Sequence, residues 1–262
     1  MNERLRIMAE SMSLPSVDIV IRTFNSDRQL SECITAAKSF LPVNRIIVVD
    51  HYSNDRTVEI ARSEGVEIHY EDRGLGYATT LGASLAGTEF TLFLDSDVIM
   101  VDGAFYRKAL GEFRREDTAA VVGVERGHSF LYGLPLGLTL FRSSFIRSIP
   151  IPDGVGGRET YFIQRAVSAS HMKVRYVRDA MSHNSIYRSY RNWAEWQGAQ
   201  IRYSAGLSPG ELAYSFTVIL LIHMNSRKPK NILYTPVFCI KLLRGFMFPS
   251  RWGSMDRREI TV

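Results

Sequence analysis

The sequence predicts an α/β fold: a mainly parallel sheet flanked by helices, with a helical extension after it. Three observations carry that prediction. Short β-branched or apolar runs alternate with helix-period segments from Val17 onward, the pattern of strands joined by right-handed crossovers. The run RIIVVD (45–50) is apolar up to its last residue, as strands buried on both faces are. Polar residues gather where the runs end, at Thr23, Asn25, Asp50, Asp95 and Asp97, and parallel sheets bind ligands outside the carboxyl ends of their strands.

VDIVIRT (17–23) follows Pro15 and reads as the first strand. Phe24-Asn25-Ser26 turns, and Ser26 or Asp27 caps a helix with Leu30, Cys33, Ile34 and Ala37 on one face. Pro42 closes that connection before the strand ending at Asp50. HYSND follows, with Ser53 or Asn54 as cap of a helix that stops at Gly65. VEIHY (66–70) is a third strand, and RGLGYATTLGASLAG (73–87) a glycine-bearing loop and helix. TEFTLFLDSDVIM (88–100) is an apolar strand that delivers Asp95 and Asp97 to its carboxyl end. A helix from Asp102 to about Glu116, strands at 119–124 and 138–141, and a loop over 126–137 come next. After a Pro- and Gly-rich loop, a helix starting near Arg158 or Glu159 turns Tyr161, Phe162, Ala166 and Val167 inward, and KVRYV (173–177) is a strand leading to His183. From Tyr187 the composition shifts to three helices, near 188–203, 211–224 and 232–248, the last carrying Pro236 near its start. The domain division is therefore 1–15 as an N-terminal extension, 16–186 as the α/β body and 187–262 as the helical region.

With 262 residues, 45% hydrophobic and 23% charged, the composition is that of an ordinary globular protein with enough chain for a sizeable core. A net charge of +5 suits a phosphate-bearing ligand, nucleic acid or an anionic membrane and does not separate them. No nucleic-acid module accompanies it, so no nucleic-acid partner is predicted. Cys33 and Cys239 each sit in apolar patterns far apart and read as reduced core residues. The first sixteen residues lack the apolar core of a signal peptide, and no stretch reaches the roughly 18 apolar residues of a spanning helix. The expectation is a cytoplasmic protein, with a peripheral position on the inner face of the membrane as the variant.

Buried carboxylates are costly unless paired or bound to a cation. Asp95 and Asp97, one residue apart, suit a shared Mg²⁺ or Mn²⁺, which can neutralise a leaving diphosphate. The pair alone is equally read as a helix cap beside a solvated turn. Asp50 is placed to accept hydrogen bonds from a base or ribose, with Thr23 and Asn25 on the same nucleotide. Glu159 is a candidate general base, or a first-turn acid favoured by the helix dipole. His183 is a candidate ligand, or a structural histidine.

In order, VDIVIRTFN, RIIVVDHYSNDRT, RGLGYATTLGASLAG, TEFTLFLDSDV, GGRETYFIQRA and KVRYVRDAMSH resemble the family 2 glycosyltransferases of GT-A fold, over roughly residues 16 to 190. Six blocks in sequence are far more specific than any one. The resemblance implies a Rossmann-like, mixed, mainly parallel sheet and inverting transfer of a sugar from a nucleotide-diphosphate sugar, a UDP- or GDP-sugar, to an acceptor hydroxyl. It implies Asp97 as metal ligand with Asp95 and His183 beside it. Thr23, Asn25, Asp50, Arg73, Gly76, Asp95 and Ser96 would contact the nucleotide sugar, Glu159 would be the catalytic base, and Mn²⁺ or Mg²⁺ the cofactor. The chain departs from the family pattern at His51, where a second acid is usual, and at Thr79-Thr80, where an arginine is usual, with Arg73 as its substitute. A third departure is Arg158, where another acid is common.

Three rival functions remain distinct. A sugar nucleotidyltransferase would carry a glycine-rich basic loop after strand one, whereas RTFNSDRQL has no glycine. A dinucleotide oxidoreductase would place GLGYATTLG after the first strand and not the third. A non-catalytic nucleotide-sugar or membrane-binding module is separated by a donor hydrolysis assay. The C-terminal helices either pack on the core, join copies in a homo-oligomer, or lie on a membrane with Arg227, Lys228, Lys230, Lys241 and Arg244 toward anionic lipid. The last case goes with a lipid-linked acceptor.

Overall fold

The structure, a computed structural model, describes residues 14–125, 134–153, 155–183, 193–225 and 229–249. By internal contact they divide into two compact units, one drawn from Met1–Asp153 and Glu159–Ile186, the other from Gly154–Arg158 and Tyr187–Val262.

The first unit is built on eight strands: β1 (Val17–Thr23), β2 (Val43–Asp50), β3 (Glu67–Tyr70), β4 (Phe90–Asp95), β5 (Val98–Met100), β6 (Thr118–Glu125), β7 (Leu138–Arg142) and β8 (Lys173–His183). Their order in the sheet is β3-β2-β1-β4-β7-β6-β8-β5. β1, β2, β3 and β4 run parallel, as do β6 and β8, while β7 and β5 run against their neighbours. The helices are α1 (Leu30–Phe40), α2 (Thr57–Ser63), α3 (Leu75–Leu85), α4 (Ala104–Glu112), α5 (Ser143–Arg147) and α6 (Glu159–Ala169).

Alternation along the central strands divides two cores. Ile19, Ile21, Val48, Leu92 and Leu94 meet Leu30, Cys33, Ile34 and Ala37 of α1 and Phe105 and Tyr106 of α4. Val20, Ile47, Val49 and Phe93 meet Ala78 and Ala83 of α3 and Ile163 and Val167 of α6. The strands lose both faces from water, which is why their sequences read as unbroken apolar runs.

Some local expectations are corrected. Neither Ser26 nor Asp27 caps α1, whose first residue is preceded by Gln29 with no side-chain cap; the Leu30 N–H instead donates to the Ser26 carbonyl. Ahead of α2, Asp55, and neither Ser53 nor Asn54, accepts from the Thr57 N–H at 2.9 Å. Cys33 is buried, whereas Cys239 is only half-buried, and both are free. Two elements went unread: β5, three residues long, and the single-turn α5. β8 also continues well past Val177. A register shift between Gly123 and Glu125 interrupts its ladder with β6, and Asp179 takes a left-handed backbone with φ 56. Its last residues then pair with β5, His183 opposite Val98 and Met181 opposite Met100. The sequence-read loop falls outside the described residues over 126–133, as do most of the N-terminal extension and the start of the helix read at 188.

The second unit holds α7 (Trp193–Ala205), α8 (Pro209–Asn225) and α9 (Pro229–Met247). Ala194 and Ile201 of α7 bury against Phe238, Leu242 and Phe246 of α9. Gly198 faces the Leu242 backbone and Gly245 the Glu195 backbone so closely that no Cβ fits at either, so two glycines set the approach of these helices. Gly157 lies against the fully buried Trp196 ring, and Arg158 pairs with Glu211 at 3.3 Å. Among the described residues no helix is long and apolar enough to cross a membrane.

Candidate functional site

The carboxyl ends of β1, β2 and β4 lie side by side because the strands are parallel and in register. Thr23 is the partner of Asp50 across β1–β2, and Arg22 the partner of Asp95 across β1–β4. Residues 22 and 23 point to opposite faces of the sheet, so the pairs build two separate networks.

The first network clasps two loops. Thr23 Oγ1 donates to Asp50 Oδ2 at 2.7 Å. The Ser53 N–H donates to Asp50 Oδ1 at 2.8 Å and the Ser53 hydroxyl to Oδ2 at 2.6 Å. Asn25, with a left-handed φ of 50, donates its N–H to Ser53 Oγ at 2.9 Å and accepts from the Asn54 N–H at 3.0 Å. Asp50 is wholly buried and Thr23 nearly so. Both Asp50 oxygens accept from the chain itself, which ties the β1–α1 turn to the β2–α2 turn.

His51, at the position of the missing second acid, lies with Nδ1 2.9 Å from Glu71 Oε1. The other Glu71 oxygen accepts from the N–H groups of Arg73 and Gly74 at 2.9 and 2.7 Å. Glu71 is buried and shapes the glycine-bearing loop from below. Gly74 holds φ 101, a conformation that disfavours side chains, and Gly76 passes so close to the Pro152 carbonyl that a Cβ would overlap it. Arg73 is exposed, pairs with Asp153 and stacks its guanidinium 4.0 Å from the Tyr77 ring centroid. Tyr52 and Tyr70 stack beside this end with centroids 5.3 Å apart.

The second network centres on Arg22, which the sequence reading passed over. Its side chain is 6% exposed. Nη2 donates to Asp95 Oδ1 at 2.8 Å, and Nη1 to Glu159 Oε1 at 3.0 Å and Thr79 Oγ1 at 3.1 Å. Burial opposes the charge, but Asp95 and Glu159 outweigh it and raise the pKa of the guanidinium further above its ordinary value, so it stays charged. Glu159 starts α6 and is buried, and its Oε2 has no hydrogen-bond partner among the described residues. The signals were an arginine directly after the apolar run at the first strand's centre and a second acid, Glu71, at the end of the third strand.

Asp97 lies in the turn between β4 and β5. His183 reaches it because β8 continues to pair with β5, bringing Nε2 to 3.2 Å from Asp97 Oδ1. The hydrogen bond that His183 donates to Asp97 raises the histidine pKa above the ordinary 6.5; burial opposes this, and the charges of Asp97, Asp95 and Glu125 add to it. Ser96 donates to the Ser26 hydroxyl at 2.9 Å. Cys33 donates weakly to the Asp95 carbonyl at 3.5 Å, and burial, then the Asp95 and Asp97 charges, push its thiol up and leave it unreactive.

Among the described residues no three His, Cys, Asp or Glu side chains close into a metal cage. Asp97 and His183 do meet, and Asp95 adds its charge beside them. Such a partial donor set fits Mg²⁺ or Mn²⁺, which keep several ligands from water and substrate phosphates.

The chain is 25% identical over 127 residues to the 4,4'-diaponeurosporenoate glycosyltransferase of Staphylococcus haemolyticus, covering 45% of this chain and 34% of that protein. It is 32% identical over 92 residues to the glycosyltransferase SunS of Bacillus subtilis, covering 34% and 21% respectively. The matched stretch is thus about a third or less of the length of these relatives. In architecture it is similar to glucosyl-3-phosphoglycerate synthase from Mycobacterium tuberculosis. The complex of that enzyme with Mn²⁺, UDP and glucosyl-3-phosphoglycerate superposes with a TM-score of 0.60 at 16% identity, covering 80% of this chain and 86% of that one. The complex with Mg²⁺ and UDP gives 0.60 at 17%. That likeness establishes the GT-A-type sheet. Residues 18–148, half of the chain, match the sequence profile of glycosyl transferase family 2, and the chain belongs to that family.

Proposed function

We propose that this chain transfers a sugar from a nucleoside-diphosphate sugar to an acceptor hydroxyl with inversion at the anomeric carbon, in a metal-dependent reaction. The observation that carries the reading is Glu159: a buried carboxylate with one oxygen held by Arg22 and the other without a partner among the described residues, one guanidinium away from Asp95. An unpartnered buried carboxylate oxygen is costly, and an acceptor hydroxyl would satisfy it. The family membership and the UDP, Mn²⁺ and Mg²⁺ bound by structural relatives support the nucleotide and metal parts of the reading.

In this mechanism Glu159 Oε2 takes the proton from the acceptor hydroxyl. The acceptor oxygen forms its bond to the anomeric carbon as the bond to the diphosphate oxygen breaks on the opposite side. Asp97 and His183, with Asp95 beside them, would hold a divalent cation, whose chemistry is to neutralise the diphosphate charge. Thr23, Asn25 and Asp50 support the nucleotide end by fastening its loops, while Gly76, Ser96 and Arg73 line it. General-base help is worth about 10²–10⁴-fold. Glu159→Gln should therefore lower transfer by that factor while donor binding, followed by titration calorimetry, is retained; undiminished turnover would sink the assignment. An NMR assay of the product that found the donor's anomeric configuration preserved would overturn inversion.

The helical unit adds a membrane side to the proposal. α9 exposes Leu233, Val237, Ile240 and Met247, spaced to fall along one helical face, and carries Lys230, Lys241 and Arg244 with no acidic residue. Apolar residues with flanking cations suit an anionic lipid surface, and hence a lipid-presented acceptor. The protein should float with anionic but not zwitterionic liposomes, and Leu233→Glu with Ile240→Glu should abolish flotation. Flotation unchanged by both substitutions would refute this role of α9.

A further inference from the structure

We propose that Arg22 is a positioning residue that aims Glu159 at the acceptor and ties it to the donor-side carboxylate Asp95, an inference that rests on reading Glu159 as the base. The geometry is that of a fork with three occupied tines. One amino group binds Asp95 Oδ1 at 2.8 Å; the other binds Glu159 Oε1 at 3.0 Å and Thr79 Oγ1 at 3.1 Å. Thr79 is itself anchored, donating to the Leu75 carbonyl at 2.8 Å within α3. The guanidinium carbon sits 6.0 Å from the centroid of the buried Phe93 ring. With β1, β4, α3 and α6 all attached, neither the guanidinium nor the Glu159 carboxylate is free to turn.

The consequence is a division of labour within Glu159. Oε1 is committed to Arg22, and Oε2 is buried without a partner among the described residues, so a hydroxyl meets the base at one defined atom. Orientation of this kind carries much of the barrier reduction in enzymes. It also couples the two halves of the reaction: a shift of Asp95 on donor binding passes through one rigid plane to the base. Lysine would not replace this, because an ammonium is a point charge without the planar fork.

A structural alternative is that Arg22 only compensates the buried Glu159 and the half-exposed Asp95 carboxylates. A double-substitution cycle on the full chain separates them, using Arg22→Met, Arg22→Lys and Glu159→Gln singly and combined, with kcat, donor KM and thermal midpoint measured for each. If Arg22 acts through Glu159, Arg22→Met lowers kcat by about 10²-fold, the lower end of general-base effects, and leaves donor KM within about threefold. In the Glu159→Gln background it then costs less than about threefold more, because residues acting as a unit are not additive. Multiplicative losses, or a loss confined to donor KM, overturn the inference and leave the base assignment standing. If Arg22→Met does not fold, Arg22→Lys decides: a loss of kcat at an unchanged thermal midpoint supports positioning, and wild-type kcat refutes it. Full turnover in Glu159→Gln refutes the base reading itself, whatever Arg22 does.

Discussion

Replacing Asp50 with alanine should weaken nucleotide binding by unfastening two loops, with a matching loss of stability. The carboxylate is wholly buried and accepts from the Thr23 hydroxyl, the Ser53 hydroxyl and the Ser53 N–H at 2.7, 2.6 and 2.8 Å. Hydrogen bonds to charged groups contribute about 1.5–3 kcal/mol each, and leaving a buried donor unmet costs about 1–3 kcal/mol. The hydroxyls can rotate to other acceptors, whereas the Ser53 N–H cannot, so the three losses do not add fully and a net cost of about 2–4 kcal/mol is expected. At about 2–4 °C per kcal/mol for a domain of this size, the midpoint should fall by roughly 4–16 °C. The assay pairs thermal unfolding with nucleotide titration for Asp50→Ala, Ser53→Ala and Thr23→Ala. Bracing predicts that affinity falls together with stability across the three, Ser53→Ala included, because Ser53 also receives the Asn25 N–H. An Asp50→Ala protein with an unchanged midpoint and no nucleotide binding would refute the bracing argument and make the carboxylate a direct ligand contact.

Two further outcomes test the scaffold. Asp18 is buried; desolvation alone would raise its pKa, but hydrogen bonds from Asn44, Gly87 and Thr88 and the charge of Arg45 outweigh it and hold it below the ordinary 3.8. A carboxylate with a depressed folded pKa contributes stability that is present above the unfolded value and lost as pH falls through the folded one. Unfolding should therefore become easier from about pH 4 downward, and Asp18→Asn, less stable at neutral pH, should lose part of that acid dependence in chemical denaturation; an unaltered slope would count against it. Gly76→Ala places a Cβ on the Pro152 carbonyl, so the loop must move at a cost of about 1–3 kcal/mol. Thermal unfolding should register it, and an unshifted midpoint would mean that this contact is not tight.

The strands were legible because burial on both sheet faces leaves apolar runs, and the strand-end polar residues because a parallel sheet puts those ends together. Asp50, Asp95 and Thr23 were found for that reason. What they do there was less legible: a carboxylate at a strand end serves a ligand or its own loop, and the hold that Asp50 has on its loop is read only from the Ser53 and Thr23 contacts. Arg22 was hidden because a charge in a strand ordinarily reads as exposure, and its partners lie 73 and 137 residues away in sequence. His183 reaches Asp97 through the continuation of β8, whose residues 178, 179, 182 and 183 are exposed and carry no apolar signal. β5 is too short for any period to register.

Asp97 offers a test in which the sign of an effect, and not its size, decides. Around the β4 end, among the described residues, Asp95, Asp97 and Glu159 bring three carboxylates beside the buried Arg22, with His183 as a further cation when protonated. A diphosphate approaching these carboxylates without a metal meets like charge. Like charges about 6–10 Å apart at an effective dielectric near 20 repel by about 2–3 kcal/mol, which is more than an ordinary hydrogen bond returns. Asp97→Asn removes one of those charges and should strengthen nucleoside-diphosphate binding in the presence of a chelator. With Mn²⁺ added, the same substitution removes a hard oxygen ligand and should weaken binding. A structural Asp97, serving only to hold His183 and the β4–β5 turn, would shift both affinities in the same direction. Calorimetric titrations of the wild type and Asp97→Asn, each with EDTA and with Mn²⁺, give the four values required. Opposite signs support a metal site at Asp97, and equal signs refute it.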